Sequence, residues 1–217
     1  MTNFTFSCVR AAVIAIAAAG STAVSASASM STASFAPCAS TEGLGSFHAD
    51  LAYSYYGGTS ATIAITLTNN TDMSLGGYIT ALALNPSGMS GSLAFVSSTN
   101  ALFTAIASPV SAPPYGMFAA GAGLGGQFLG IGDPSAGIAV GGSEIFTFTL
   151  TGSAAALAAL DAETVLASSP GYGMVVRFRG GAVDDWSDKV VGCALPAPGA
   201  LALLGAMGLV TKRRRRV

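Results

Sequence analysis

Thr62-Ile63-Ala64-Ile65-Thr66-Leu67-Thr68 alternates so that Ile63, Ile65 and Leu67 share one face while the threonines share the other. Successive side chains of an extended chain point to opposite faces, so this pattern predicts a half-buried β-strand. Residues 145–151 repeat it with Phe146, Phe148 and Leu150 inward. In residues 174–179 the inward set is Met174, Val176 and Phe178, which leaves Arg177 and Arg179 on the outer face. Less regular strands are expected at 51–56, 78–84, 93–97 and 102–107. Turn residues punctuate them: Gly57-Gly58, Asn69-Asn70-Thr71-Asp72, Asn85-Pro86-Ser87-Gly88, Pro113-Pro114 and Gly141-Gly142. Short strands spaced in this way predict an all-β domain over residues 41–193, an antiparallel β-sandwich of jelly-roll or Ig-like type. The Ala/Leu-rich stretch 153–168, with Ser153 as N-cap, reads as one short helix crossing between strands. The glycine-rich stretch 118–142 reads as a long loop.

Composition narrows the class of protein. The chain has 217 residues, 51% of them hydrophobic and only 9% charged, with 28 glycines. A typical soluble domain is about one-quarter charged, so the balance favours an exported or membrane-associated chain over an ordinary cytosolic enzyme. The formal net charge of −1 hides an uneven distribution. Six of the nine basic residues lie at Arg10 and between Lys212 and Arg216, whereas the body holds all ten acids against Arg177, Arg179 and Lys189. A body this acidic does not bind nucleic acid through phosphate neutralisation.

Both ends read as processing signals. Residues 1–28 run from a polar start ending in Arg10, through an apolar stretch at 11–19, to small residues containing Val24-Ser25-Ala26 and Ala26-Ser27-Ala28. This is the layout of a secretory signal peptide with its signal helix, cut by signal peptidase after Ala26 or Ala28. Residues 29–40 then read as a flexible N-terminal segment. Export removes Cys8 and leaves Cys38 and Cys193 as an even pair. They form either a bridge closing nearly the whole domain into one loop or two separate thiols. Residues 194–217 hold Pro196-Ala197-Pro198-Gly199, an apolar run at 200–210, and Lys212, Arg213, Arg214, Arg215 and Arg216. A helix over 199–210 rises only about 18 Å, short of the roughly 30 Å hydrocarbon core. Extended back to Ala194 it just reaches spanning length, with the arginines held on the cytoplasmic side.

That order of Pro-x-Pro-Gly, apolar helix and arginine cluster resembles the PEP-CTERM sorting signal of exported bacterial proteins. Pro196, Pro198 and Gly199 match the motif, and Ala197 stands where the motif has its central Glu. The resemblance implies recognition by an exosortase, an integral-membrane cysteine protease-transpeptidase. It implies transient anchoring, removal of the C-terminal helix, and delivery to the cell surface or an extracellular polysaccharide matrix. The body is similar to other PEP-CTERM proteins at Leu67-Thr68-Asn69-Asn70-Thr71, Gly77-Tyr78-Ile79-Thr80, Phe146-Thr147-Phe148, Val176-Arg177-Phe178-Arg179-Gly180 and Ser187-Asp188-Lys189. That likeness implies a surface-exposed β-sandwich.

Chemistry-bearing motifs are sparse. Gly121, Gly123 and Gly126 satisfy GxGxxG, but no helix pattern follows, as a dinucleotide site requires. His48 is the chain's single histidine, there is no GxSxG elbow, and no carboxylate pair stands out for glycosidase chemistry. The best constellation is Asp184, Asp185 and Asp188 around Trp186. Clustered carboxylates suit Ca²⁺ and the indole suits a sugar ring, although a solvated turn whose acids pair with Arg177, Arg179 or Lys189 explains the same residues. The leading expectation is a non-enzymatic surface or matrix protein without a cofactor. The alternative is a Ca²⁺- or carbohydrate-binding surface module built on the 184–188 loop.

Overall fold

A computed structural model describes residues 28–87, 91–167, 171–182 and 186–196. Among them the chain is all-β and antiparallel, with one five-residue helix. The strands are β1 (Ser29–Ser40), β2 (Phe47–Tyr55), β3 (Ser60–Asn69), β4 (Gly76–Leu84), β5 (Ser92–Ser98), β6 (Phe103–Ala105), β7 (Val110–Ser111), β8 (Met117–Phe118), β9 (Ala120–Leu124), β10 (Ser143–Thr151), β11 (Met174–Gly181) and β12 (Ser187–Ala194), and the helix is α1 (Ala154–Ala158). Ten strands form a single sheet in the order β5-β10-β3-β2-β1-β12-β11-β4-β9-β6, while β7 and β8 pair separately as a small hairpin.

The sheet curls until its ends meet. β5 lies against β6 and β9, and Phe103 of β6 packs edge-on against Phe146 of β10 with ring centroids 5.0 Å apart. The expected sandwich is thus a near-barrel made of one continuous sheet. The right-handed twist that accumulates across many strands brings distant edges together in this way. The interior is one apolar cluster containing Phe35, Leu51, Tyr53, Ile65, Phe148, Val176 and Phe178.

Two burial patterns distinguish the halves of the sheet. In β2, β3 and β10 buried positions alternate with more exposed ones, as for strands with one solvated face. The run from Ile79 to Leu84 in β4 and that from Met174 to Phe178 in β11 are buried at every position. Their outer face is covered by a second cluster in which Val110, Ala112, Phe118 and Phe128 pack on Ala81, Ala83, Val175 and Val191.

Residues 29–40, expected to be flexible, form β1, which sits between β2 and β12. β1 pairs with β2 from Ser29↔Tyr55 to Phe35↔Ala49, and with β12 from Phe35↔Ala194 to Ser40↔Val190. The domain therefore begins a dozen residues earlier than the pattern suggested. The helix over 153–168 is also cut short. Ser153 caps it as expected, accepting from the Ala156 amide, but Asp161 then accepts from both the amide and the hydroxyl of Thr164, a local closure that competes with helical continuation. Tyr53 donates to the Leu157 carbonyl at 2.7 Å, holding this segment over one end of the barrel. The glycine-rich stretch 118–142 is not wholly loop, since it contains β9 and a 3₁₀ turn at Pro134–Ala136.

Cys38 and Cys193 are bonded, with Cα atoms 5.7 Å apart and 155 residues between them in sequence. The bond ties β1 to β12 and so joins the first and last strands of the domain. Replacing both cysteines with serine is expected to lower unfolding free energy by about 5 kcal/mol, the chain-entropy value for a loop of this length. Denaturant titration of the oxidised parent and the Cys38→Ser/Cys193→Ser variant measures it; equal midpoints would show that β1–β12 pairing needs no covalent tie.

Candidate functional site

The constellation singled out around the β11–β12 connection divides into two kinds of residue. Asp184 and Asp185 lie outside the described residues. Asp188 and Trp186 are described, and both face the protein.

In β12, alternation puts Asp188 on the same face as Val190, inside the barrel. The carboxyl is fully buried, and the turn after β1 closes around it. One oxygen accepts from the amides of Thr41 at 3.1 Å and Glu42 at 3.0 Å and from the Thr41 hydroxyl at 2.8 Å. The other accepts from the amides of Leu44 and Gly45, both at 2.9 Å. The Ser40 hydroxyl lies 2.7 Å from each oxygen. Burial pushes this carboxyl up, but the hydrogen bonds from Gly45, Ser40, Leu44 and Thr41 outweigh it and hold the group below the usual carboxylate range. Gly45 permits the close approach, since a Cβ there would lie 2.6 Å from the Phe178 ring.

Trp186 is 7% exposed. Its ring packs edge-on against Phe178 and over Gly77 and Gly181, where added Cβ atoms would lie 2.5 and 2.8 Å from it. An indole held in this way offers no face to a sugar, and Asp188 has its acceptor capacity filled by the protein. A ligand at Asp188 would first have to displace the turn at 40–45. Among the described residues no group of three or more His, Cys, Asp or Glu side chains is arranged to hold a metal ion.

A groove of about 660 Å³ runs over the outer face of β1, β2 and β3, bordered by His48, Asp50, Thr66, Ile145 and Pro196. One Asp50 oxygen accepts from Ser34 at 2.6 Å and contacts His48 Nε2 at 3.1 Å. The Ser34 hydrogen bond, with help from His48, holds the Asp50 carboxyl low despite slight burial. A nucleophilic relay needs the imidazole between hydroxyl and carboxylate. Here the carboxylate lies between the other two, so the trio does not activate Ser34.

The formal GxGxxG is used for packing. Gly121 and Gly123 lie in β9, where Cβ atoms would meet the Leu82 carbonyl at 2.7 Å and the Gln127 carbonyl at 2.8 Å, and Gly126 follows in a turn. Asn69, first of the Asn69-Asn70-Thr71 triplet, is buried and donates to the carbonyls of Gly77 and Ile138.

Of the expected sorting residues, Pro196 is described and borders the groove. Ala197, Pro198, Gly199, Arg213, Arg214, Arg215 and Arg216 lie outside the described residues, as does Ala26 of the signal cleavage region; Ala28 is the first described position. No helix among the described residues is long and apolar enough to cross a membrane. Comparison with family models, curated proteins and solved structures returns no match to this chain.

Asp188→Ala is expected to cost on the order of 3 kcal/mol or more, because several buried amides lose their acceptor together. Equilibrium unfolding of parent and variant checks this, and a loss below about 1 kcal/mol would remove the carboxylate from its organising role. Because folding lowers the Asp188 pKa, its contribution is complete above the unfolded value near 3.9 and disappears as pH falls through the lower folded value. Parent stability should therefore fall more steeply below about pH 4 than that of Asp188→Asn. The single tryptophan should emit as a buried indole, with its emission unmoved by added polysaccharide; a saturable sugar-dependent shift would contradict its placement.

Proposed function

We propose that this chain is an exported, non-enzymatic protein displayed at the cell surface or in an extracellular polysaccharide matrix, delivered by a PEP-CTERM/exosortase-type route. The observation that carries the reading is the Cys38–Cys193 bond closing the domain. Structural disulfides persist in oxidising compartments and are rare where thiols are kept reduced. Its support is independent of the N-terminal and C-terminal patterns, which point to the same destination.

The position of the tail fits this route. Two residues, Ala194 and Leu195, separate Cys193 from Pro196, and Leu195 donates its amide to the Ser34 carbonyl at 2.8 Å. The chain is thus held to β1 immediately before the Pro196-Ala197-Pro198-Gly199 segment. A transpeptidase acting there would detach the apolar run without disturbing a strand. In this reading the folded module is the cargo, signal peptidase and the exosortase are its processing partners, and the acidic body is what the matrix receives.

Intact-mass measurement of the protein from its own cells, separated into membrane and released pools, tests the proposal. The expected product begins after Ala26 or Ala28, ends within the 196–199 segment, and sits in the released pool. A chain retaining Arg213 to Arg216 in the membrane pool would mean permanent anchoring, and an uncut N-terminus in the cytosol would overturn export itself.

A further inference from the structure

Arg177, Arg179 and Lys189 are the only basic residues between Cys38 and Cys193, and the fold gathers all three on β11 and β12. Arg177 and Lys189 are directly opposed across the two strands, and Arg179 opposes Ser187 one step along the same face. The cross-strand row continues from Arg177 to Ala81 of β4 and Gly123 of β9, so no carboxylate flanks Arg177 from that side. Arg177 is 9% exposed, and its Nε is buried without a hydrogen-bond partner among the described residues, as is Arg179 Nη1. The loop carrying Gly130 lies over the Arg179 guanidinium so closely that a Cβ there would be 2.6 Å from Nη1. The one ion pair among the described residues is His48–Asp50, elsewhere on the sheet.

Such an arrangement is costly for a protein with acids to spare. Burial disfavours the charged form of Arg177, and Arg179 beside it adds like-charge repulsion. Lys189 is pushed the same way by its own burial and by Arg177, against opposing help from Asp188 and Glu42. Asp188 itself has its oxygens committed to the 40–45 turn. A partly buried guanidinium with unused donors, next to a second guanidinium and an ammonium, matches the forked geometry with which arginine takes a planar or tetrahedral oxyanion.

We infer that Arg177, Arg179 and Lys189 form a binding site for an oxyanion group, a sulfate, phosphate or carboxylate carried by a soluble ligand, on the outer face of the β11–β12 hairpin. The site would give an otherwise acidic module one point of attachment to an anionic ligand. It does not depend on the export route.

The test is titration of the purified full-length chain, held in non-ionic detergent, with inorganic phosphate and with sulfate at constant ionic strength, followed by calorimetry. The expected result is saturable binding with a dissociation constant of about 1 mM or tighter, weakened about tenfold or more in Arg177→Gln and severalfold in the less buried Lys189→Gln. Lys189→Gln keeps the test informative if Arg177→Gln does not fold. Absence of saturation, or unchanged affinity in both variants, would overturn the inference. So would binding that emerges only in an Asp184→Asn/Asp185→Asn variant, since those carboxylates would then be the internal counter-ions. Co-sedimentation with phosphatidylglycerol vesicles without any response to phosphate or sulfate would also overturn it.

Discussion

The pairing of β1 with β12 is the contact on which the rest of the molecule depends. Remove it, and the ten-stranded sheet separates into β5-β10-β3-β2-β1 and β12-β11-β4-β9-β6. The two strands are the first and last of the domain, so the pairing carries the largest loop-closure cost in the chain. Two devices meet that cost. The Cys38–Cys193 bond limits the unfolded ensemble, and the Asp188 carboxylate organises the turn that ends β1. The first acts on the chain as a tether, whereas the second acts only once both strands are in place.

Charge is divided by the two faces of β12. Asp188 points inward and is stabilised as an anion by amides and hydroxyls from one short turn. Lys189, its neighbour, points outward beside Arg177. A strand can hold opposite charges one residue apart because the pleat separates their side chains and the sheet lies between them. The inner charge serves the fold. The outer charges have no partner of that kind among the described residues, and this asymmetry is what gives the β11–β12 hairpin its functional interest in a body otherwise poor in bases.

Much of the fold was legible where local pattern sufficed. The alternation in 62–68 and 145–151 survives as β3 and β10, because each has one solvated face and the two pair with each other. The strand Ser29–Ser40 was not legible. Its sequence is rich in Ser and Ala with Pro37 near its C-terminal end, and only its N-terminal half has a partner nearby in sequence, in β2, while the half from Phe35 to Ser40 is placed by β12, about 150 residues away. The helix over 153–168 misled because Ala and Leu favour helix everywhere, while a single Asx-type closure at Asp161 decides the outcome. At the candidate site, the cluster of acids beside Trp186 suggested a ligand loop. The overlooked signal was the spacing of Asp188 and Val190: an i, i+2 pair on a strand shares a face, so an aspartate in phase with core valines must find donors inside. Ser40 and Thr41 with the amides of Glu42, Leu44 and Gly45 supply them.

The amides of Leu44 and Gly45 offer the most direct view of this seam. They belong to a turn, where amide hydrogens ordinarily exchange quickly with solvent, yet here they donate to a buried carboxylate. Hydrogen–deuterium exchange resolved at these two residues should show protection comparable to that of the β3 and β10 core amides, released only with global unfolding. Rapid exchange at Leu44 and Gly45 while β3 and β10 remain protected would show that the turn opens on its own, and that Asp188 does not hold the two halves of the sheet together.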